Sequence, residues 1–448
     1  MNAQTDAQTP LYPLTAAQTG IWYSQMLTPQ NPFYNLAEYC DIAGPIDPPV
    51  FEQALRHMVS ETECLHIRLV ETDEGPMQVI GPSPSWELAL VDVSSSTEPL
   101  AAAVAWMRED AQLVFDLGQG PLFRYALLRL APDRYLWYYC IHHVCIDGFG
   151  GALVTHRVAA LYSALMANER LSQVASGSYA ELLESEWDYR HSSRHNRDGE
   201  YWKEQAADWP ERVTLSGYVP SPTEVNQSVY LELSPSQLSE LSTQSPLAGA
   251  SVPQVLTAVV ALYHHRLSGA RDVILGFALT GRIGARMRHS AGMVSTVVPL
   301  RLRLESSMRW RDVVKQVSRR IRQALRHQGY NGETLRRELG LGPGDPDLYG
   351  TVVNLSSFDY GPRFGDHRAD VHFVGNRRVK DLELLIRERR DGSEIRVEFY
   401  GHGALYSQAS LAAHKDRFEK VSKKPHAWQS VVPSGESWRC KASTRCFA

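Results

Sequence analysis

Two adjacent histidines end an apolar, aromatic segment in the first half of the chain. Residues 135–143 have the sequence Tyr-Leu-Trp-Tyr-Tyr-Cys-Ile-His-His, which favours a buried β-strand, and Val-Cys-Ile-Asp-Gly follows it. Because side chains alternate between the two faces of a strand, His143 shares a face with Tyr139, and His142 points to the opposite face. One neutral imidazole can therefore accept or orient a proton at the rim of a cleft, while the other supports the strand.

An Asp-Gly pair breaks this strand, and a helix is expected from about Gly150. Gly148 permits a close backbone approach, and its N–H can donate toward the cleft. Asp147 follows His143 closely, which makes it a candidate for orienting the imidazole in the manner of a Ser-His-Asp triad. The strand, turn and helix together predict a catalytic site where the strand ends.

The pattern His-His-x-x-x-Asp-Gly resembles the signature of condensation domains from nonribosomal peptide synthetases. Other segments resemble further motifs of that family in the same order: 14–22, 63–69, 115–124, 276–282, 292–301 and 353–355. They extend over roughly the first 420 residues, so the resemblance is more specific than any one short motif. It implies amide-bond formation between a donor acyl or peptidyl thioester and the amine of an acceptor aminoacyl thioester.

The resemblance also implies roles for the residues of the histidine motif. His143 is expected to be the general base or a hydrogen-bonding positioner of the attacking amine, and both roles stay open. His142 is expected to point into the protein and support the loop. Asp147 is expected to pair with Arg282 from the second half rather than with the imidazole, forming a structural ion pair.

Substrate contacts and partners are likewise implied by the resemblance. Thr296 and Asn354 are expected to line the donor or acceptor side of the substrate channel, although many family members carry Asn at the position of Thr296. The chain itself is expected to bind no cofactor, because partner carrier proteins supply the phosphopantetheine. The expected partners are donor and acceptor peptidyl or aryl carrier proteins.

The order of helix and strand patterns predicts a mixed α/β protein with two comparable halves. The expected helices cover 50–59, 101–113, 252–267 and 310–328. The expected strands cover 67–70, 124–130, 135–143, 273–279, 297–304, 351–355 and 394–399. One long polar helix that contains Trp187, Tyr201 and Trp202 is expected between the two halves.

The resemblance implies two chloramphenicol-acetyltransferase-like lobes that form a V-shaped pseudo-dimer around a central tunnel. The N-terminal lobe is expected to cover 1–178, and the C-terminal lobe 179–422, with crossover segments that bridge them. The polar stretch 172–178 is the expected linker. Residues 423–448 lack periodicity and match no motif, so a disordered tail is expected.

The two ends of the chain also lead to predictions about what precedes and follows this domain. The first motif lies so close to Met1 that this lobe is expected to begin its polypeptide. An adenylation domain, which normally follows in the family, is expected to be absent downstream. A frame change, a truncated gene and a natural stand-alone form are three explanations of the tail that stay open.

Composition excludes several function classes. The chain has 448 residues, of which 43% are hydrophobic and 21% charged, and a formal net charge of −4 that does not favour nucleic acid. No apolar run is long enough to span a bilayer. The cysteines lack CxxC spacing and are expected to be reduced thiols in the cytoplasm. Metal binding by His142, His143 and Cys145 is disfavoured because adjacent strand residues diverge.

Two further features have ordinary explanations. His264 and His265 form a second adjacent pair, but they end an apolar helix and no Asp-Gly follows, so no chemistry is assigned to them. The expected helix 310–328 combines an apolar stripe with a basic face. That face is a possible docking surface for acidic carrier proteins, although a solvated amphipathic helix is the favoured interpretation.

Three related enzyme classes and one non-enzymatic function are alternatives to amide formation. An epimerisation domain shares the motif but is expected to follow a carrier domain, and a heterocyclisation domain has aspartate in place of His142. A plant-type coenzyme A-dependent acyltransferase needs an Asp-Phe-Gly-Trp-Gly segment, which is absent. An inactive or truncated remnant that docks carrier proteins is the main alternative, because the tail is atypical. Residues 16–22 resemble domains that open siderophore-type synthetases and accept an aryl acid.

Overall fold

The computed structural model describes most of the chain. The described residues are 10–171, 177–210, 212–216, 226–305, 307–342, 345, 347–356, 361–374, 379–388 and 394–423. Most of the expected linker 172–178 and all of the expected tail after Lys423 lie outside these residues. Within the described part, helices and strands alternate through both halves, in agreement with the predicted mixed α/β class.

Eleven α-helices are formed by the described residues. They are α1 (Ala16–Leu27), α2 (Pro48–Glu61), α3 (Pro99–Ala111), α4 (Gly148–Met166), α5 (Tyr179–Arg190), α6 (Ser193–Ala206), α7 (Pro235–Ala248), α8 (Val252–Ser268), α9 (Trp310–Arg326), α10 (Gly332–Glu338) and α11 (Gln408–Lys423). Several begin at a residue that satisfies the first backbone N–H groups, such as Thr15 before α1 and Asp147 before α4.

The strands form two large sheets and one small sheet. They are β1 (Leu11–Pro13), β2 (Asn35–Ile42), β3 (Ile67–Thr72), β4 (Gly75–Ile80), β5 (Leu88–Asp92), β6 (Phe123–Ala131), β7 (Arg134–His142), β8 (Gln227–Glu232), β9 (Asp272–Leu279), β10 (Thr296–Arg303), β11 (Thr351–Ser356), β12 (Arg363–Phe364), β13 (His367–Phe373), β14 (Leu382–Glu388) and β15 (Ile395–Gly401).

The N-terminal sheet carries the histidine strand at its centre. Its order is β12-β13-β2-β7-β6-β5, so β7 has a neighbour on each side. Antiparallel pairing with β2 places Tyr139 opposite Glu38 and His142 opposite Asn35. A strand held between two neighbours has little freedom to shift its register, which fixes the position where the histidines emerge.

The C-terminal sheet has the order β10-β9-β11-β14-β15-β8. Strand β11 runs parallel to both β9 and β14, which places Asn354 beside Leu385. Two strands from the second half of the sequence, β12 and β13, do not belong to this sheet. They extend the N-terminal sheet, where β13 pairs with β2 at its edge. The second half of the chain therefore completes the sheet that holds the histidines.

Each large sheet has its own hydrophobic core. In the N-terminal core, Phe51 of α2 and Phe364 of β12 pack against Trp137 of β7, with ring centroids 5.6 Å and 6.1 Å from that of Trp137. In the C-terminal core, α8 and α9 bury apolar stripes against β9 and β10. Burying apolar side chains stabilises the fold by roughly 25 cal/mol per Å² of apolar surface, so these two cores hold the sheets that carry the site.

One prediction about helices was wrong. The single polar helix expected around Trp187 and Trp202 is two helices, α5 and α6. The hydroxyl of Ser192 accepts a hydrogen bond from the N–H of His195 at 3.3 Å, which starts a new helix after α5 has ended. The polar pattern alone did not mark this break, because serine is also tolerated on exposed helix surfaces.

Candidate active site

His143 is the first residue after β7, and its imidazole has a defined orientation. Its backbone N–H donates to the carbonyl oxygen of Tyr34 at 2.7 Å, and its ring Nδ1 lies 2.7 Å from the carbonyl oxygen of Ile146. A carbonyl oxygen can only accept a hydrogen bond, so Nδ1 carries the proton in the neutral ring. Nε2 is then the nitrogen with a lone pair, which can accept a proton from an amine.

His142 points to the opposite face and is buried. Its Nδ1 accepts a hydrogen bond from the N–H of Val144 at 3.2 Å, and the rings of Tyr34 and Phe115 lie beside it. Burial, with a smaller contribution from the charge of His143, lowers the pKa of His142 to about 3. His142 is therefore neutral at ordinary pH, and its contacts are those of a residue that supports the loop.

Asp147 contacts Arg282 rather than the imidazole. Nη1 of Arg282 donates to Oδ2 of Asp147 at 2.7 Å, and both side chains are buried. Oδ2 also accepts from the N–H groups of Val294 and Ser295, at 3.2 and 3.1 Å. Oδ1 accepts from the N–H of Gly150 at 3.0 Å and caps α4. The carboxylate thus joins the histidine turn to the segment between β9 and β10.

The guanidinium of Arg282 makes further contacts on the same segment. Nη1 donates to the carbonyl of Thr280 at 3.2 Å, and Nη2 donates to those of Ser290 and Gly292 at 3.3 and 3.2 Å. Its Cζ lies 4.4 Å from the ring centroid of Phe149. A buried charge needs this degree of compensation to be tolerated, so the pair holds parts of both halves together.

The remaining predicted residues line an inner cavity of about 350 Å³ together with His143. Gly148, the exposed first residue of α4, has open space where a Cβ would stand. The hydroxyl of Thr296 accepts from the N–H of Gly332 at 2.8 Å, and Nδ2 of Asn354 donates to Glu383 at 3.3 Å. The structure therefore brings these residues to one cavity between the two large sheets, with Arg282 behind its wall.

Several polar residues of this cavity were missed by the sequence interpretation. Glu38 of β2 accepts a hydrogen bond from the hydroxyl of Tyr139, which lies on the same strand face as His143. Glu383 enters from the C-terminal sheet, and Lys380 forms an ion pair with Asp347 at 2.6 Å. Neither β2 nor β14 was among the predicted strands, and no motif marked these residues.

A wider outer cavity of about 1190 Å³ adjoins the inner one and opens between α1 and α10. The two cavities share Gly20, Phe33, Glu333 and Lys380 among their lining residues. Their combined size and shared lining leave room for a substrate that extends from the outer cavity to His143. The second histidine pair lies elsewhere: His264 is buried at the end of α8, outside both cavities.

The described residues form neither a metal-binding cluster nor a membrane-spanning helix. In the described part of the chain, no cluster of His, Cys, Asp and Glu has the geometry to hold a metal ion. Cys40, Cys64, Cys140 and Cys145 are buried free thiols. No helix among the described residues combines the length and apolar character that crossing a bilayer requires.

Solved structures define the class of this fold. The starter condensation domain of rhizomide synthetase in complex with C8-CoA superposes with a TM-score of 0.86 at 36% identity, covering 94% of this chain and 97% of that one. The first condensation domain of the calcium-dependent antibiotic synthetase, in complex with a substrate analogue, gives a TM-score of 0.86 at 30% identity, covering 94% and 99%. The fold is thus the chloramphenicol-acetyltransferase-like fold of condensation domains, as predicted.

The family follows from the sequence profile described as Condensation domain, which matches residues 8–425. The chain belongs to the condensation domain family, whose members are acyltransferases that form amide bonds in nonribosomal peptide synthesis. A dimodular nonribosomal peptide synthase of Bacillus subtilis is 39% identical over 94% of this chain. Enterobactin synthase component F of Escherichia coli is 27% identical over 91% of it, which confirms the predicted likeness to siderophore-type synthetases. The chain spans 18% and 32% of the lengths of these two relatives.

Proposed function

We propose that this chain joins an acyl group from one carrier-bound thioester to the amine of an aminoacyl thioester on a second carrier. The observation that carries the proposal is the imidazole of His143, whose Nδ1–H is directed to the carbonyl of Ile146 while the ring lines the inner cavity. Phosphopantetheine arms on the carriers supply the two thioesters. The chain itself supplies the cavity, the base and the scaffold.

The reaction needs one proton acceptor near the attacking nitrogen. The neutral amine attacks the donor carbonyl carbon, the C–N bond forms, and the C–S bond to the donor arm breaks. Nε2 of His143 takes or orients the proton that the nitrogen loses, and this proton goes to the departing thiolate. The cavity between the sheets lowers access of water, which would otherwise hydrolyse the thioester.

The other predicted residues act by position in this proposal. Asp147 and Arg282 fix the turn that carries His143, and His142 supports it from the opposite face. Gly148 leaves space and a helix N–H at the cavity edge, where an oxyanion would develop. Thr296 and Asn354 contact the substrate channel on the side of the C-terminal sheet.

The donor is proposed to be an acyl group that starts a chain. The likeness to a starter condensation domain in complex with C8-CoA supports this, as does the likeness to enterobactin synthase component F. An aryl acid and an aliphatic acyl chain are the two donor classes that follow from these relatives. The final product is in either case a nonribosomal peptide, with a siderophore as the case that the aryl donor predicts.

The lobe limits and location complete the proposal. The two hydrophobic cores support a division between Leu183 and Trp202, beyond the predicted limit at residue 178, since the N-terminal core draws on residues up to Leu183 and the C-terminal core begins at Trp202. Residues 287–294 and 364–374 of the second half also join the N-terminal core, as bridging segments would. A cytoplasmic location is consistent with buried free thiols.

Intact-mass spectrometry of an acceptor carrier loaded with an amino acid tests this function. The acceptor is mixed with this protein and a donor carrier that bears either an aryl or a C8 acyl group. We expect the acceptor to gain the mass of the acyl group, and His143→Ala to slow this gain by roughly 10²–10⁴-fold. His265→Ala is the matched control, because His265 also directs Nδ1 to a carbonyl oxygen, that of Ala270, at 2.7 Å but lies outside the site.

The results of this assay distinguish an amide-forming enzyme from a protein that only docks carriers. An acyl gain that survives His143→Ala would keep the reaction and remove His143 from its centre. No gain with any donor, from a folded protein, would contradict the proposed function and favour a remnant that only docks carriers. Loss of the gain in His265→Ala would show that the assay follows stability rather than chemistry.

A further inference from the structure

Helix α9 carries a straight row of positive charge on its exposed side. Its apolar residues, among them Val313, Val317 and Ile321, are buried against the C-terminal core. The cationic ridge, as we call the exposed row, consists of Arg311, Lys315, Arg319, Arg322 and Arg326. Their spacing of four, four, three and four residues places them on one face over about 22 Å, at 1.5 Å per residue.

Most charges of the ridge have no counter-charge beside them in the described part of the chain. Helix α9 has six cationic side chains and one carboxylate, a net charge of +5, whereas the chain as a whole has −4, so the remainder has −9. Among the described residues, Arg311, Lys315, Arg319 and Arg326 have no carboxylate within ion-pair distance. Like charges four residues apart on a helix repel each other, so the ridge disfavours the isolated helix.

The ridge ends next to the substrate cavities. Gln328, directly after α9, accepts a hydrogen bond from the hydroxyl of Thr280 at 3.3 Å, and Thr280 lines the inner cavity. Asn331 and α10, which follow at once, form the wall of the cavities. A partner bound along the ridge therefore lies beside the wall through which a carrier arm must reach His143.

We infer that the cationic ridge docks a carrier domain that presents an acidic helix beside its phosphopantetheine arm. This inference rests on the proposed function. Carboxylates three and four residues apart on a helix match the spacing of the ridge and remove its internal repulsion. A long polyanion fits less well, because a nucleic acid or an anionic membrane would also face the negative remainder of the surface.

The test uses the full chain with Lys315→Glu, Arg319→Glu and Arg326→Glu together. The matched control reverses three exposed cations elsewhere, Arg68, Arg108 and Lys420, which gives the same net charge. Each protein is assayed with carrier-bound substrates and with N-acetylcysteamine thioesters, which have no carrier domain. Thermal unfolding of all three proteins confirms that they remain folded.

We expect the ridge variant to raise the KM for one carrier-bound substrate roughly tenfold or more, with turnover of the N-acetylcysteamine thioesters unchanged. The control variant should retain the carrier KM. A carrier whose acidic helix is reversed to lysine should bind the ridge variant better than the wild type. An unchanged carrier KM in the ridge variant would overturn the inference and leave the proposed function intact.

Direct binding separates the two proposals if no turnover is seen. Fluorescence anisotropy of a labelled carrier domain then measures docking without chemistry. Weaker carrier binding by the ridge variant alone supports the ridge, even if the proposed function fails. If the ridge variant loses only retention by phosphatidylserine vesicles or single-stranded DNA, with carrier binding unchanged, the carrier inference is wrong.

Discussion

Asp147 is the residue on which the hydrogen bonds of the histidine turn converge. Its carboxylate accepts from Arg282 and from three backbone N–H groups, and all of these contacts are buried except the partly buried one with Ser295. Asp147→Ala would leave the guanidinium of Arg282 buried without its counter-charge. We expect a loss of about 3–5 kcal/mol in the free energy of unfolding, measured by urea denaturation.

A double-mutant cycle shows whether the loss comes from the pair. Arg282→Met removes the buried charge, so Asp147→Ala should be less harmful in an Arg282→Met background than in the wild type. We expect a coupling energy of about 1–3 kcal/mol. If the two losses in unfolding free energy simply add, Asp147 stabilises the fold only by accepting hydrogen bonds from backbone N–H groups.

The motif residues and the missed residues differ in how the sequence encodes them. His143, Asp147 and Gly148 lie in one short segment, so their spacing alone predicts a turn that holds them together. Glu38 sits inside the mostly apolar strand β2, and only the pairing of β2 with β7 brings it to Tyr139. A sequence pattern shows which side chains share a face of a strand, but it does not show which strand lies beside it in the sheet.

At the scale of elements, helix α10 closes the cavity through a close contact at its first residue. A Cβ on Gly332 would stand 1.9 Å from the carbonyl oxygen of Val297, so only glycine fits there. A Cβ on Gly20 in α1 would stand 3.5 Å from the nearest atom of Glu333 across the outer cavity, which is an ordinary contact. The two glycines therefore predict opposite outcomes for the same substitution.

Gly332→Ala should displace α10 from β10 and lower the free energy of unfolding by about 1–3 kcal/mol. Because α10 lines both cavities, the KM for the acceptor should rise as well. Gly20→Ala should be neutral or stabilising by up to about 1 kcal/mol, since alanine is the better helix former. Urea denaturation and acceptor titration check both, and equal losses would mean that the space at Gly332 has no special role.

Most of the expected helices and strands are observed, but strands such as β2, β13 and β14 were not predicted, and neither was the assignment of strands to sheets. Helices expected over 252–267 and 310–328 are observed as α8 and α9, because a long apolar stripe at helical spacing has one stable arrangement. Strand β13 was a different case. In sequence it lies between β11 and β14, which both belong to the C-terminal sheet, but it pairs with β2 of the N-terminal sheet. Its alternating pattern is satisfied by either sheet. The resemblance, rather than periodicity, predicted such bridging segments.

At the scale of the whole molecule, buried histidines link stability to pH. Burial lowers the pKa of His142 and His264 to about 3 and that of His414 to about 4. All three are neutral in the folded protein, whereas in the unfolded chain they take up protons below about pH 6.5. The unfolded state then binds more protons than the folded state, so acidification below pH 6.5 favours unfolding.

Among the described residues, three carboxyl groups whose pKa is raised by burial act in the opposite direction: Glu186, Glu388 and Asp381. Burial raises the pKa of Asp381 to about 6, although the hydroxyl of Tyr406 donates to it. Between about pH 4 and pH 6 the folded protein therefore binds a proton that the unfolded chain lacks, and acidification favours folding at this residue. Burial also lowers the pKa of His195 and His372, so five histidines outweigh three carboxyl groups and the net effect is a loss of stability.

We expect the free energy of unfolding to fall by roughly 2–4 kcal/mol between pH 6.5 and pH 5, measured by urea denaturation.

His264→Leu isolates the contribution of one histidine to this fall. Within the described residues neither ring nitrogen of His264 has a hydrogen-bond partner, so leucine should stabilise the protein at pH 7 by about 1–2 kcal/mol. His264→Leu should also reduce the fall in unfolding free energy between pH 6.5 and pH 5 by about 1–2 kcal/mol. The control His289→Leu, which replaces an exposed histidine, should leave that fall unchanged. The same fall in wild type and His264→Leu would mean that other groups control the acid sensitivity of this fold.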